Sequence, residues 1–472
     1  MDREPLPAGE AVKLTRKRKI LLGAFAFIVG ILWVACNHLE WRGGGIPKMV
    51  WRPSAPDIDK LRKQRADDSK VVPAKISKED ANATKISPVG FRGVNGDGVY
   101  EDEIILTSWP EQGPPVLWRK LIGGGHSSFA IAGNLAFTIE QQENNEVVVA
   151  FSTQTGRAQW SFEYSAKFEE YFGGIGPRST PAWDEGRLYS LGAKGHLHCL
   201  DANTGKLIWA KNLMTENKAE IPYWGVSASP FIYRNTVILT PGGENDDAIV
   251  ALDKESGKKV WSALNGVQTY STPVLLELLG KEQLLISLKD KVVAINPNDG
   301  TLLWSHPWKI FMNNNNIAQP TRLADDVVLI SAGYGTGAEA FQIVSKDNAM
   351  STESLWKSKS LKTKFSSPVL WKGHLYGLND NRLVCLDAKN GFLKWRGGKF
   401  GYGQIIAASG HLIVLGDDGD LALVEMNPDQ FVQKAKFKAL KGGRTWNYPA
   451  LSQGLLFVRN SYEMVCYDLR AK

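Results

Sequence analysis

The chain has 472 residues, 43% hydrophobic and 22% charged, which excludes a disordered protein and allows a large buried core. Four Cys exclude a disulfide scaffold, while 46 Gly and 16 Trp point to many tight turns and a repeated packing role. The net charge of +7 lies wholly in residues 1–90, with 17 Lys+Arg against 10 Asp+Glu; residues 91–472 carry 39 of each, which leaves no broad basic footprint for nucleic acid.

Residues 1–19 read as a cytoplasmic basic N-terminus, because Lys13, Arg16, Lys17, Arg18 and Lys19 stand just before an uncharged apolar run, 20–36. Its 17 residues are at the short end of what a membrane-spanning helix needs. The run is expected to be a single transmembrane signal anchor that leaves the rest of the chain exported. Two alternatives are cleavage as a secretory signal and lipidation at Cys36, since Trp33-Val34-Ala35-Cys36 resembles a bacterial lipoprotein box with Trp33 where Leu is usual. Residues 37–90, with Gly43-Gly44-Gly45 and a Lys/Asp-rich stretch, read as a flexible linker holding a short helix around 57–68.

From there the chain repeats itself. Five segments align without a gap: 150–160 (AFSTQTGRAQW), 199–209 (CLDANTGKLIW), 251–261 (ALDKESGKKVW), 294–304 (AINPNDGTLLW) and 385–395 (CLDAKNGFLKW). Each starts with Ala or Cys, has Gly seventh and ends in Trp. The Gly supplies the positive φ of a hairpin turn, and the small first residue leaves room for an indole. The repeat extends upstream, where Pro-containing strand starts recur at Pro181, Pro230, Pro273, Pro320 and Pro368, and once more at Pro449. The unit is four short strands joined by hairpins. The closing residues Trp118, Trp160, Trp209, Trp261, Trp304, Trp356 and Trp395, with Phe437 in the next unit, recur about every 46 residues.

This pattern implies an all-β fold, an eight-bladed β-propeller over residues 91–472 with four-stranded blades. The last unit, 447–472, holds only three strands, and Val116-Leu117-Trp118-Arg119 is a spare fourth strand that is expected to close it.

The motif resembles the tryptophan-docking repeat of the PQQ-like, quinoprotein-type eight-bladed propellers. That family includes PQQ-dependent alcohol and methanol dehydrogenases and the non-enzymatic propeller lipoprotein of the outer-membrane barrel-assembly machinery. Blades 1, 2, 3, 4 and 6 carry the motif; blade 5 lacks the turn Gly and blade 7 has Asn427-Pro428-Asp429-Gln430 instead. Phe91-Arg92-Gly93-Val94-Asn95-Gly96-Asp97-Gly98 resembles the lead-in of anchored members with no assigned activity, and by itself reads as a turn.

For the enzymatic branch the resemblance implies PQQ, a calcium held by carboxylate and amide oxygens, a catalytic Asp and two adjacent Cys. No two Cys are adjacent here, and Cys199, Cys385 and Cys466 take the small motif position as structural filler. The resemblance places the cofactor at one axial mouth, lined by the segments that lead into the innermost strands. Those segments hold Gly125-His126, Tyr171-Phe172, Arg178, Tyr223-Trp224, Thr269-Tyr270, Asn313 to Asn316, Lys364-Phe365, Tyr402 and Arg444, Trp446 and Asn447; their acids are Glu169, Glu170 and Glu220. His196 and His198 share a strand face, as a metal pair does, but His196, His374 and His411 all follow a turn Gly and read as solvated turn positions.

These residues favour no catalytic or metal site and no resident cofactor, with a PQQ-dependent dehydrogenase as the alternative. The expected function is a non-catalytic binding or scaffold propeller outside the cytoplasmic membrane, monomeric, with a protein, peptide or envelope ligand. The expected binding residues are Tyr171, Arg178, Trp224, Tyr270, Lys364, Tyr402, Arg444 and Trp446, since Trp, Tyr and Arg dominate binding hot spots. A phosphatase fused after Lys472 is expected to be active in a bacterial host; an inactive phosphatase beside an active cytoplasmic reporter would refute the export reading.

Overall fold

The computed structural model describes residues 16–42, 48–51, 56–68, 89–310, 316–347 and 349–471. Eight sheets follow one another along the chain. Blades 1 to 6 are four-stranded sheets over residues 130–165, 182–212, 231–263, 274–307, 321–358 and 369–397. Blade 7, 404–438, gains a fifth strand from Val99–Tyr100, which runs parallel to its first strand. Blade 8 takes three strands from 450–468 and its fourth from Val116–Leu121, with Cys466 opposite Trp118. The first strands of blades 1 and 2, 2 and 3, 5 and 6, 6 and 7, and 8 and 1 touch, so the two ends of the chain's run of blades meet and the ring is closed.

The repeat motif makes the third strand, the tight turn and the outer strand of each blade. Ala150 pairs with Trp160, Cys199 with Trp209, Ala251 with Trp261, Ala294 with Trp304, Ala340 with Trp356 and Cys385 with Trp395. A bulge follows the small residue in every case. The indole then reaches the next blade and lies over its turn glycine. A Cβ on Gly205 would stand 2.5 Å from the Trp160 ring, and one on Gly257 would stand 2.9 Å from that of Trp209. Gly156 meets Trp118, Gly300 meets Trp261 and Gly391 meets Trp356 in the same way. All five glycines have φ between +64° and +76°. The indole N–H completes the joint by donating to a turn carbonyl of the next blade: Trp118 to Thr153 (2.7 Å), Trp160 to Ala202 (2.9 Å) and Trp209 to Lys254 (3.2 Å).

The irregular blades solve the joint differently. Blade 5 offers no turn glycine to Trp304, which packs against Phe341 and donates to Gln283 in its own blade (2.7 Å). Trp395 donates to Asn427 of blade 7 (2.8 Å) and packs on Phe431. Blade 8 has no continuous turn, because its fourth strand comes from the other end of the chain. Gly113, at φ +92°, takes that place beneath Phe437.

Two segments before the ring differ from expectation. Residues 20–36 lie within a helix, α1 (Arg16–His38), whose described apolar side chains are exposed, for example Ile20, Leu21, Phe25, Phe27 and Trp33. Among the described residues, however, no helix is long and apolar enough to cross a membrane, so the expected spanning helix is not part of the observed fold. The short helix of the linker forms as α2 (Ile58–Asp68) but is docked rather than free. Leu61 is fully buried, Gln64 exchanges two hydrogen bonds with the Leu121 backbone, and Arg65 lies over the Phe151 ring and beside the buried Glu140. Arg62 pairs with Glu143, while Asp68 pairs with Lys120 and accepts from the Ala158 N–H. Helix α2 therefore packs over the seam between blades 8 and 1.

The segment at 89–100 fills one end of the axis. Val89 bridges to Trp183 of blade 2, and Gly98 accepts from the Ala407 N–H of blade 7. Arg92, only 4% exposed, donates to the Gln319 side chain and to the carbonyls of Asp97 and Pro368, and lies over the Tyr448 ring. It is a turn, as expected, and also a plug.

Replacing Trp118 by Ala is expected to cost about 3–5 kcal/mol, the range for truncating a large buried aromatic. Gly205→Val is expected to destabilise as well, because the side chain would meet Trp160 at a φ that β-branched residues avoid. Wild-type urea unfolding curves for both variants would refute the inter-blade joint.

Candidate functional site

The residues before each first-strand proline set the geometry of the other axial end. A Pro has no N–H, and the residue before it is held extended. At that preceding position, and at Ser128 in the same place on blade 1, the N–H bonds sideways on several blades, to a hydroxyl in the same place on another blade. Ser128 donates to Thr180 (3.1 Å), Thr180 to Ser229 (2.9 Å) and Ser229 to Thr272 (2.9 Å). Gln319 donates to Ser367, Ser367 to the Tyr448 hydroxyl, and the Ser128 hydroxyl to the Tyr448 carbonyl. This hydroxyl belt fixes the lead-in segments around the mouth.

On blades 5 to 8 the mouth is a cluster of rings around one ammonium. Lys364 Nζ lies 3.9 Å from the Tyr402 ring centroid, 4.9 Å from that of Tyr334 and 5.1 Å from that of Phe365. Phe365 packs on Trp446 (4.5 Å) and Tyr402 (5.6 Å); Trp446 packs on His126 (5.3 Å) and carries the Arg444 guanidinium at 5.1 Å. Burial pushes the Lys364 ammonium below its usual range, opposed by Asp380 and Asp417. Such an ammonium gains from an anionic ligand, and the rings offer flat apolar walls to whatever carries the anion.

On blades 2 to 4 the mouth is a hydrogen-bonded charge pair and a ledge. Arg178 donates to Glu170 (3.3 Å) and to the carbonyls of Gly174 and Gly176, and lies over Phe168. Burial brings its guanidinium down to about 10, opposed by Glu170 and Glu146. Tyr270 is pushed up to about 12 by burial, offset by a hydrogen bond with the Trp224 backbone and by Arg178. Beside this pair stand Tyr171 and Phe172 (5.1 Å), then Trp224 (6.1 Å from Phe172) and Tyr223 (4.7 Å). Tyr334 links the two halves electrostatically, since Tyr402 and Tyr270 both act on it.

All eight expected mouth residues thus come to one axial end, but as two groups: Lys364, Tyr402, Arg444 and Trp446 on one side, Tyr171, Arg178, Trp224 and Tyr270 on the other. Sequence reasoning missed Tyr334, Asp380 and Asp417. All three sit in turns between second and third strands, where only the lead-in segments were searched. Asp417 accepts from the Tyr402 N–H, and Asp380 pairs with Lys362.

A PQQ–calcium pair asks for several oxygens around a cation and a free carboxylate. Glu170 and Asp417 come from blades 2 and 7 and are already engaged, and no group of three or more His, Cys, Asp or Glu able to hold a metal occurs among the described residues. Asn313 to Asn315 lie outside the described residues. His198 is buried against Tyr164 (4.3 Å) and Phe162 (5.0 Å), and His196, expected as a solvated turn position, is half-buried beside the same Tyr164 (5.6 Å). Cys199, Cys385 and Cys466 are buried free thiols in three different blades, and Cys36 lies outside the described side chains.

Ring, joint and mouth together define a PQQ-like eight-bladed propeller. The chain belongs to the family whose model is described as outer membrane protein assembly factor BamB, matched over residues 144–397, more than half its length. It is 23% identical over 327 residues to the outer membrane protein assembly factor BamB of Yersinia pestis, covering 66% of this chain and 73% of that protein. It is also 25% identical over 159 residues to the quinoprotein alcohol dehydrogenase PedH of Pseudomonas putida, which is 32% of this chain but only 25% of that enzyme. Among solved structures, BamB from Moraxella catarrhalis superposes with a TM-score of 0.54 at 15% identity, over 76% of this chain and 98% of that one. The quinohemoprotein alcohol dehydrogenase of Comamonas testosteroni gives 0.58 at 12% identity, over 88% and 85%. At these identities the structural likeness speaks for the fold alone.

His126 tests the dryness of the mouth. Its Nε2 meets the Gly173 carbonyl at 2.7 Å, which fixes the neutral tautomer with the proton on Nε2. Burial first, then Arg178, brings its pKa down to about 3. The folded value lies below the unfolded one, so the stability it confers is complete above about pH 6.5 and is lost as pH falls towards 3. His126→Phe is expected to flatten that part of a melting-temperature profile, and an imidazole signal titrating near 6.5 would contradict the buried neutral ring.

Proposed function

We propose that this chain is a non-catalytic binding propeller of the cell envelope whose axial mouth takes an anionic segment of a protein partner. The observation that carries this reading is Lys364, ringed by Tyr402, Tyr334 and Phe365 beside Arg444 and Trp446: a cationic, aromatic-walled receptor. Glu170, Asp380 and Asp417 at the mouth are engaged by Arg178, by Lys362 and by backbone N–H groups, which argues against their use as a nucleophile or base. Kinship with proteins named as outer membrane assembly factors supports an envelope setting and a protein partner.

A second reading, a PQQ-dependent dehydrogenase, draws on the quinoprotein relatives and on the fit of a flat anionic quinone to a cationic aromatic mouth. Two measurements separate them. Trp224→Ala with Trp446→Ala is expected to leave the fold intact and abolish co-purification of an envelope partner from detergent extracts; retention of every wild-type partner would refute the binding role of the mouth. Calorimetry with PQQ and calcium is expected to show no heat of binding, and tight binding would favour the enzyme.

A further inference from the structure

A groove of about 960 Å³ opens on the mouth face of blade 5, beside the axis rather than on it. Its size is that of clefts that hold ligands. Three parts of the chain border it: the lead-in at 307–310, the turn at 334–336 between the second and third strands, and the end of the outer strand at 357–359. The turn stands on the axial side and the outer strand at the rim, so the groove runs outward from the mouth.

Tyr334 belongs to both openings. It lines the groove, and its ring lies 4.9 Å from Lys364 Nζ at the mouth. Its backbone is left-handed, at φ +54°, a conformation that a non-glycine residue keeps only where its surroundings hold it. The holder is Lys359, whose ammonium donates to the carbonyls of Gly335 (2.8 Å) and Thr336 (2.7 Å). Groove and mouth are thus built on one clamped turn.

The groove also carries the sign of the mouth. Of the described residues that line it, Lys309, Lys357 and Lys359 are cationic and Glu339 alone is acidic. Glu339 is buried between Lys357 (3.1 Å) and His306 (3.4 Å), so the groove keeps a cationic excess. Trp308 and Ile310 give it an apolar wall. The Trp308 indole N–H has no hydrogen-bond partner among the described residues, and an unmet donor in such a wall is a cost that an arriving carbonyl removes.

We infer that the groove is the outer half of the peptide site: an acidic segment of the partner, anchored at Lys364, passes Tyr334 and lies extended along blade 5, with carboxylates on Lys309 and Lys357 and apolar side chains on Trp308 and Ile310. This inference rests on the reading of the mouth proposed above. It adds the path of the segment and its composition, acidic residues interspersed with apolar ones. Lys359 is a positioning residue on that path, since it acts through the Tyr334 turn.

The test measures the fluorescence anisotropy of two fluorescein-labelled peptides with the full chain in detergent. One is an eight-residue peptide of alternating Asp and Leu, which reaches about 26 Å when extended; the other is its first three residues, about 10 Å, enough for the mouth alone. Lys309→Gln with Lys357→Gln is expected to weaken the long peptide about fivefold, the loss of two exposed ion pairs, and to leave the short one unchanged. The difference is expected to shrink at high salt, and Arg at both positions to restore binding. Lys364→Gln is expected to weaken both peptides. Lys206→Gln with Lys258→Gln removes the same charge from the outer turns of blades 2 and 3, on the opposite face, and is expected to weaken neither. All four of these lysines other than Lys364 are exposed, so both double variants are expected to keep the wild-type melting temperature. If the groove variant weakens the long peptide no more than the opposite-face control does, the groove has no part in binding and the reading of the mouth stands. If Lys364→Gln leaves both peptides unchanged, or neither peptide binds the wild type, the reading of the mouth falls and this inference with it.

Discussion

At five of its eight joints this ring depends on one contact, an indole laid over a turn glycine of the next blade. The contact explains why glycine is required twice over at positions such as Gly205: the backbone is left-handed there, and any Cβ would collide with Trp160. It also explains the small Ala or Cys opposite each Trp, which lets the ring lie flat across the strand pair. Where the indole N–H is satisfied in the next blade, as at Trp118, Trp160, Trp209 and Trp395, the joint is directional. Where the glycine is missing, as before blade 5, Phe341 supplies the surface instead, and Gln283 takes the N–H.

The hydroxyl belt at the axis is the inner counterpart of that outer joint. The two together hold most blades at both rim and centre, which steadies the segments around the mouth. Rings and cations can then be placed on eight independent segments without any of them having to support the fold. The Lys364 cluster and the charge pair of Arg178 with Glu170 occupy opposite sides of one opening. A ligand that spans them would meet an aromatic-ringed ammonium on one side and a guanidinium already bonded to a carboxylate on the other.

Much of this was readable from the residues alone. Five gapless motifs with Gly seventh and Trp eleventh fix the strand, the turn and the ring, and the orphan strand at Trp118 gives its closure. The eight mouth residues were found because radial repetition brings equivalent segments together. What escaped has physical reasons. Tyr334 and Asp417 lie in short turns whose sequences carry no periodic signal, and their proximity to the mouth depends on how deeply each sheet tilts towards the axis. Gly113 escaped because it serves a turn whose two strands are more than three hundred residues apart. The docking of α2 escaped because its surface is almost wholly polar; a single buried Leu61 and its ion pairs do the work that an apolar stripe normally announces. The Ser/Thr-Pro pairs were seen as strand starts, but their sideways bonding requires knowing which blade comes next.

The plug at 89–100 sets an order in time. It touches blades 2, 5, 6, 7 and 8, and the strand 116–121 pairs with 463–468, so neither can settle until nearly the whole chain has emerged. The earliest part of the propeller sequence is thus the last to find its place. Contacts that distant in sequence make closure slow, and until it happens blade 8 presents a bare strand edge and the axis stands open at both ends. Once Arg92 is seated between Gln319, Pro368 and Tyr448, the far end of the axis is held shut by the segment that the chain made first.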